Sequence, residues 1–339
     1  MSGNLPGRKP ASSESDSRPK SPAEIAGKLN HLLEKAMPIL TPLGVALGVI
    51  FPKVFLSLRP FIPWLFSAIT LSGSIKLRAR DMGKAVSSPF PLLAFFITAR
   101  FLIPVAVLFI SRLIFAQDTD TISGYVLLYS VPTAVTGFIW ITIYRGDPAL
   151  SLTIILLDAI IAPLMVPGTV KLLLGTTVNI DATGMALSLI FMVLIPTVIG
   201  VALNEMSRGK IPNLIGPYLS PFSKVCMVLV ISANSAAVAP QFSIHNTRMF
   251  SIIPVCILFS VFGFFCGKLA GIAGKLNKEK QVSLFFASGL RNTSAAMTLG
   301  IEFFPPAAAM PSVLGIMFQQ TVAAFMGHFM FGKAKGSGD

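Results

Sequence analysis

Residues 281 to 304 read Gln-Val-Ser-Leu-Phe-Phe-Ala-Ser-Gly-Leu-Arg-Asn-Thr-Ser-Ala-Ala-Met-Thr-Leu-Gly-Ile-Glu-Phe-Phe. Apolar residues flank a polar break at Ser288 to Ser294, whose centre holds Arg291 beside Asn292, Thr293 and Ser294. A charge buried in hydrocarbon costs at least ~3 kcal/mol, so Arg291 must face protein or water. Gly289 and the small polar side chains next to it let a membrane helix loosen at mid-depth. Such loosening is tolerated only where the backbone lines a cavity or packs in protein.

The rest of the chain supplies the membrane context. Of its 339 residues 53% are hydrophobic and only 12% charged, which excludes a soluble globular domain. The net charge of +13 does not point to nucleic acid, because Lys and Arg are scattered between apolar runs and form no stripe with interleaved aromatics. Cys226, Cys256 and Cys266 lie in apolar runs without metal-ligand spacing and read as packing residues. His31, His245 and His328 are far apart. No metal site and no cofactor are expected.

Outward from residues 281–304, apolar runs of bilayer length fall at about 36 to 51, 61 to 75, 89 to 115, 122 to 143, 148 to 170, 184 to 204, 217 to 239, 249 to 272, 281 to 303 and 311 to 331. The expected fold class is an all-α polytopic membrane protein of about ten transmembrane helices. Residues 1 to 27, rich in Ser, Pro, Lys and Arg, read as a disordered cytoplasmic tail rather than a cleaved signal, and Glu14 and Asp16 argue against a transit peptide. The membrane domain is expected over 28 to 332, with a short tail at 333 to 339.

With the amino terminus inside, nineteen of the 27 basic residues fall on cytoplasmic segments, against five (Lys53, Arg59, Arg112, Lys171 and Arg248) on the opposite side. This fits the positive-inside rule with both termini cytoplasmic in a cell membrane, plasma or bacterial inner. Lys224 can snorkel from near the cytoplasmic start of its span. Arg100, Asp158 and Arg291 stay inside the spans.

The break in span nine has an echo in span four, Pro132-Thr133-Ala134-Val135-Thr136-Gly137, and each break is followed by a Pro-containing turn and another apolar run. The two lie five spans apart. Two five-helix halves, about 36 to 170 and about 184 to 331, would then form the inverted repeat of many secondary transporters.

At these residues the chain resembles the bile acid:sodium symporter (BASS) family. The resemblance rests on Pro60-Phe61-Ile62-Pro63-Trp64-Leu65, Ala99-Arg100-Phe101-Leu102-Ile103-Pro104, Arg145-Gly146-Asp147-Pro148-Ala149-Leu150-Ser151 and Gly289-Leu290-Arg291-Asn292-Thr293-Ser294, in that order and spacing. It implies a panel domain (spans one, two, six, seven) and a core domain (three to five, eight to ten), with broken helices four and nine crossing at mid-membrane. It also implies transport of organic anions such as bile acids, sulfated steroids and small carboxylates, usually drawn in by two sodium ions.

The departures from the family pattern bear on coupling. One sodium site is implied to use a Ser-Asn pair in helix four, a Ser and a Thr in helix five, and a Glu in helix nine. Aligned through Arg145-Gly146, these positions are Gly137, Phe138, Ser151, Ile155 and Ala287, of which only Ser151 keeps a side-chain oxygen. The second site shares that Glu and adds two Gln side chains. Their positions are Arg291 and, with one residue gapped before Pro104, Arg100. A fixed positive charge excludes a mobile one, so the usual two-sodium coupling is not expected.

The functional expectation is a secondary transporter of small organic anions working by alternating access, with the lipid bilayer as its other partner. Arg291 is a candidate substrate contact, because a guanidinium fork matches carboxylate or sulfate. Asn292, Thr133, Thr136 and Ser294 beside the breaks are its candidate hydrogen-bonding companions. Asp158 is the simplest counter-ion to Arg291 or Arg100; as a protonatable carboxylate it would instead couple transport to protons. The alternatives are a conventional sodium symporter with rearranged sites and a channel or sensor that has lost coupled transport. A membrane-embedded enzyme would gather acidic or His residues at one membrane edge, whereas Asp147, Asp158 and Asp181 sit at three depths. Ser232, Ala233, Asn234 and Ser235 read first as helix packing and second as a cavity lining. Glu302 reads as interfacial.

Overall fold

The computed structural model describes residues 22–78, 89–175, 178–242 and 247–332. The tail before residue 22, the C-terminal tail 333–339 and His245 lie outside the described residues. Among those described, every regular element is helical, apart from one isolated backbone bridge between Thr133 and Arg291.

In chain order the α-helices longer than five residues are α1 (Pro22–Ile50), α2 (Ile62–Ser74), α3 (Pro89–Phe115), α4 (Thr119–Ser130), α5 (Gly137–Ile143), α6 (Pro148–Leu174), α7 (Ala182–Met206), α8 (Lys210–Ala237), α9 (Thr247–Ala273), α10 (Lys278–Gly289), α11 (Thr293–Phe303) and α12 (Met310–Phe331). Seven of these, namely α1, α3, α6, α7, α8, α9 and α12 with the turn before it, are long and apolar enough to cross a membrane. The remaining five are short: α2 has 13 residues, and α4/α5 and α10/α11 are pairs of half-length pieces. The surface is lipid-like. Leu113, Leu164, Leu172 and Met206 are 76–85% exposed, while Arg100, Asp158 and Arg291 are buried. This is an all-α, multi-pass integral membrane protein.

Side-chain caps fix where several helices start. Asp118 accepts from Thr121 N–H, Asp147 from Leu150 N–H, Asp181 from Gly184 N–H, Asn277 from Lys280 N–H and Asn292 from Ala295 N–H. Each satisfies a donor that a helix start leaves free, an interaction worth about 1 kcal/mol. Helix α1 differs from the sequence expectation by starting at Pro22, inside the segment read as a tail. Proline at the first helical position and Glu24 in the first turn both favour a start there.

Two long helices carry a π segment, Ile97–Leu102 in α3 and Ile190–Leu194 in α7. In each, a proline two residues after the segment leaves a carbonyl without its helical donor. In α7, Ile195 N–H bonds Ile190 O, so Phe191 O would look next to residue 196, which is proline. Ser67 Oγ of α2 donates to that carbonyl at 3.0 Å, tying α2 to α7.

Small residues set the closest helix approach. α1 lies along α8, and a side chain at Gly48 would put its Cβ 2.1 Å from Ser232 O, so only glycine fits. Ser232 therefore sits in a packing seam, as the sequence reading preferred.

Candidate functional site

The two helix breaks meet each other. Val131 leaves α4 in an extended conformation, and Pro132 has no N–H with which to continue the helix. On the other side α10 ends at Gly289, where a Cβ would lie 2.1 Å from the Phe264 ring, and Leu290 is extended. The loosened segments run antiparallel: Asn292 N–H donates to Pro132 O at 2.9 Å and Ala134 N–H to Leu290 O at 3.1 Å.

Breaking two helices frees carbonyls that water cannot satisfy here, and each must find a donor inside the protein. Thr133 Oγ1 donates to Ala287 O at 2.8 Å, with Leu290 O at 3.0 Å as second acceptor. Arg100 Nη1 donates to Ser130 O, and Arg291 Nη1 lies 3.5 Å from Val131 O. Gln319 Nε2 of α12 donates to Arg291 O at 2.9 Å, and its Oε1 accepts from Thr293 Oγ1 at 3.0 Å. The C-terminal end of α4 thus points its partial negative charge at two guanidinium groups, which is favourable.

Asp158, fully buried, is the hub of the charged cluster. Its Oδ1 accepts from Arg100 Nε at 2.6 Å and lies 2.5 Å from Nη2, while Oδ2 accepts from Thr133 N–H at 2.7 Å. Of the two counter-ions open to Asp158 in the sequence, the structure pairs it with Arg100.

Arg291, 1% exposed, has no carboxylate partner among the described residues. Its Nη2 donates instead to Ala99 O at 2.6 Å. That carbonyl is free for a local reason. Ile103 N–H bonds Thr98 O, so Ala99 O would look to residue 104, which is proline. The π segment and Pro104 prepare the acceptor, and Arg291 fills it from another helix.

Of the residues singled out for substrate contact, Thr136 is exposed and Asn292 partly buried, whereas Thr133, Arg291 and Ser294 are buried. Asn292 also spends its side-chain oxygen on capping α11. The positions aligned with sodium ligands lie mostly in apolar packing. Phe138 and Ile155 pack with Leu77 and Leu156, and Ala287 belongs to a cluster with Ile154 and Leu284. Gly137 is the first residue of α5. Ser151 donates to Asp147 O at 2.7 Å and lies 2.9 Å from Ser283 Oγ, so its hydroxyl is engaged. The sequence reading missed Gln319 and Ser283. For Gln319 the signal was available, a Gln319-Gln320 pair inside an otherwise apolar run.

A separate cleft of about 640 Å³ opens at the far end of α11, lined by Lys53, Arg59, Ala236, Pro240, Ile301 and Pro306 among others. Ten residues of chain separate Ile301 from Arg291, about 15 Å at helical rise. Between them Asn234 Nδ2 of α8 donates to Thr298 Oγ1 of α11 at 2.8 Å. Asn234 thus reaches across to α11, a role that helix packing alone did not suggest.

Comparison with known sequences matches this architecture to one family. The family described as Sodium Bile acid symporter family matches residues 63–243. The chain is 37% identical over 294 residues to the Bacillus subtilis (strain 168) "Uncharacterized protein YbaS", covering 87% of this chain and 96% of that one. It is 25% identical over 311 residues to the Oryza sativa subsp. japonica "Probable sodium/metabolite cotransporter BASS3, chloroplastic", covering 89% and 72%. Against the B. subtilis "Uncharacterized sodium-dependent transporter YocS" the identity is 20% over 312 residues, covering 92% and 96%. With a family match over more than half its length and a relative of this identity matched nearly end to end, the chain belongs to the sodium bile acid symporter family, a family of membrane transporters rather than enzymes.

Proposed function

We propose that this protein is a secondary transporter of small organic anions that works by alternating access without the two-sodium coupling of its family. The observation that carries the reading is the crossing itself, two interrupted helices paired through Thr133 and Arg291, with Arg100 donating to Ser130 O at the end of α4 and Arg291 held beside it by Ala99 O, 3.5 Å from Val131 O. In transporters with such crossings, unwound carbonyls and half-helix C-termini hold the coupling ion. Here two fixed cations stand at the C-terminus of α4, Arg100 on Ser130 O and Arg291 3.5 Å from Val131 O, while Thr133, Ala134 and Asn292 take the other carbonyls of the crossing.

The finer architecture follows the same reading. The broken pairs α4/α5 and α10/α11 each count as one span, and α2 as another, giving ten spans in two inverted five-helix repeats with both termini in the cytoplasm. Panel and core domains then meet along α8 and α11, and the Asn234–Thr298 bond lies in that seam. The cleft above it favours an organic anion, because Lys53 and Arg59 stand at apolar walls in a volume suited to a small molecule. Thr136 and Asn292 are the crossing residues a substrate meets first, and Arg291 acts on it through its charge until the seam opens.

Asp158 supports a permanent ion pair over proton coupling. It accepts from Arg100 and from Thr133 N–H, and a proton on it would oppose both. The names of the relatives favour a second reading, sodium symport with rearranged ligands. Against it, Ser151 is the one aligned position with a side-chain oxygen, and a single hydroxyl is too few oxygens for a sodium shell.

The test is uptake into proteoliposomes of a panel of carboxylates and sulfates, with sodium present, sodium absent, and an imposed pH gradient. Saturable uptake with counterflow, indifferent to sodium and to the pH gradient, is the expected result. Conductance without saturation would replace the carrier with a channel, and strict sodium dependence would overturn the coupling proposal.

A further inference from the structure

The cleft at the far end of α11 is walled by Ala236 and Ala237 of α8 and by Ile301 of α11. Two residues before Ala236 and three before Ile301, the same two helices meet at the Asn234–Thr298 hydrogen bond, with both side chains buried. Ser294, also buried, lies one turn further in on the same face of α11, toward the crossing. The Asn234–Thr298 contact thus stands between the cleft and Arg291.

This contact is short of hydrogen bonds. Asn234 Oδ1 has no partner among the described residues, and neither have the hydroxyls of Ser232 and Ser235 in the same stretch of α8. Turning the Asn234 amide over would leave its N–H groups unmet instead, because Thr298 offers a single hydroxyl. Buried polar atoms without partners are unfavourable. A seam that stayed shut would gain from an apolar side chain at residue 234, whereas a seam that parts lets water or solute meet the amide in its other state.

We infer that Asn234 and Thr298 are the gate residues between the cleft and the crossing. One hydrogen bond holds the gate shut, and the unmet amide oxygen biases it to open. The inference rests on reading the cleft as the outer mouth of the transport path.

The test reads access to Ser294→Cys in the full chain reconstituted in phospholipid vesicles, without substrate. A membrane-impermeant methanethiosulfonate is added outside, and peptide mass spectrometry follows modification at each cysteine. Ala237→Cys on the cleft wall normalises for copies inserted with the cleft outward. Thr298→Val leaves the amide with no partner while the seam is shut, so residue 294 is modified about fivefold faster. Asn234→Leu replaces the amide by an apolar side chain that is buried only when the seam is shut, so modification slows by about fivefold. Lost packing alone would not give opposite signs. Should Ser294→Cys fail to fold, Val230→Cys, one turn below Asn234 on α8, is the reporter. Rates that move the same way in both variants, that stay within about twofold of the parent, or that change equally at Ala237→Cys overturn the gate. No uptake is measured, so unmoved rates leave the anion-carrier reading standing, and opposed rates without uptake leave the gate standing.

Discussion

Asp158→Asn is the most discriminating perturbation of the crossing. It keeps the shape of the side chain and removes the charge that accepts from Arg100 Nε at 2.6 Å and from Thr133 N–H at 2.7 Å. Arg100, 6% exposed, is then left beside Arg291 with no carboxylate. Removing one partner of a buried ion pair costs about 3–5 kcal/mol. At about 2 °C per kcal/mol for a chain of this size, Tm falls by about 6–10 °C. The double variant Arg100→Leu with Asp158→Leu removes both charges, and apolar replacement of a whole pair is close to neutral. It still orphans Ser130 O and Thr133 N–H, which cost about 1–3 kcal/mol each. The double variant therefore loses about 2–6 kcal/mol, whereas the singles Arg100→Leu and Asp158→Leu together lose about 6–10, a coupling of about 4 kcal/mol. Thermal unfolding of five proteins in one detergent, the parent, Asp158→Asn, Arg100→Leu, Asp158→Leu and the double variant, measures this. An Asp158→Asn protein within about 2 °C of the parent, or strictly additive losses, would refute the ion-pair account.

Three other outcomes are expected. Gly289→Ala places a Cβ 2.1 Å from the Phe264 ring and lowers stability by about 1–3 kcal/mol, a loss that Phe264→Leu partly restores in the same unfolding assay. Gln319→Leu removes the donor to Arg291 O and the acceptor of Thr293, lowering stability by about 1–2 kcal/mol and slowing uptake, whereas Gln320→Leu loses only a more exposed bond from Trp140 and leaves uptake near the parent rate. Ala287→Glu with Arg291→Gln restores two residue types that the family resemblance places around sodium, and uptake by this variant becomes sodium-responsive.

What the sequence revealed about this site follows from how unfavourable charge is in hydrocarbon. Arg100, Asp158 and Arg291 had to be partnered, and Pro132 and the polar run after Gly289 had to interrupt helices, so the broken elements and the charged cluster were legible before any coordinates. The choice of Arg100 over Arg291 as partner of Asp158 was not, because it depends on how α3 turns relative to α6. That rotation is shifted by the π segment at Ile97–Leu102, which no periodicity in an all-apolar run betrays. Ala99 O as the acceptor for Arg291 is a consequence of that same segment. The burial of Arg291 was equally hidden, since it depends on how α3, α4, α9 and α12 close around the crossing. Helix α1 starts earlier than its apolar run because proline geometry at Pro22 and the acidic first turn, rather than hydropathy, favour a start there.

Equilibrium binding of radioactive sodium to the purified protein tests the central claim most directly, because it needs no knowledge of the substrate. Fixed guanidinium groups at the C-terminus of α4 predict no saturable sodium binding, and none gained when candidate organic anions are added. Saturable binding of one or two sodium ions per chain would contradict the account.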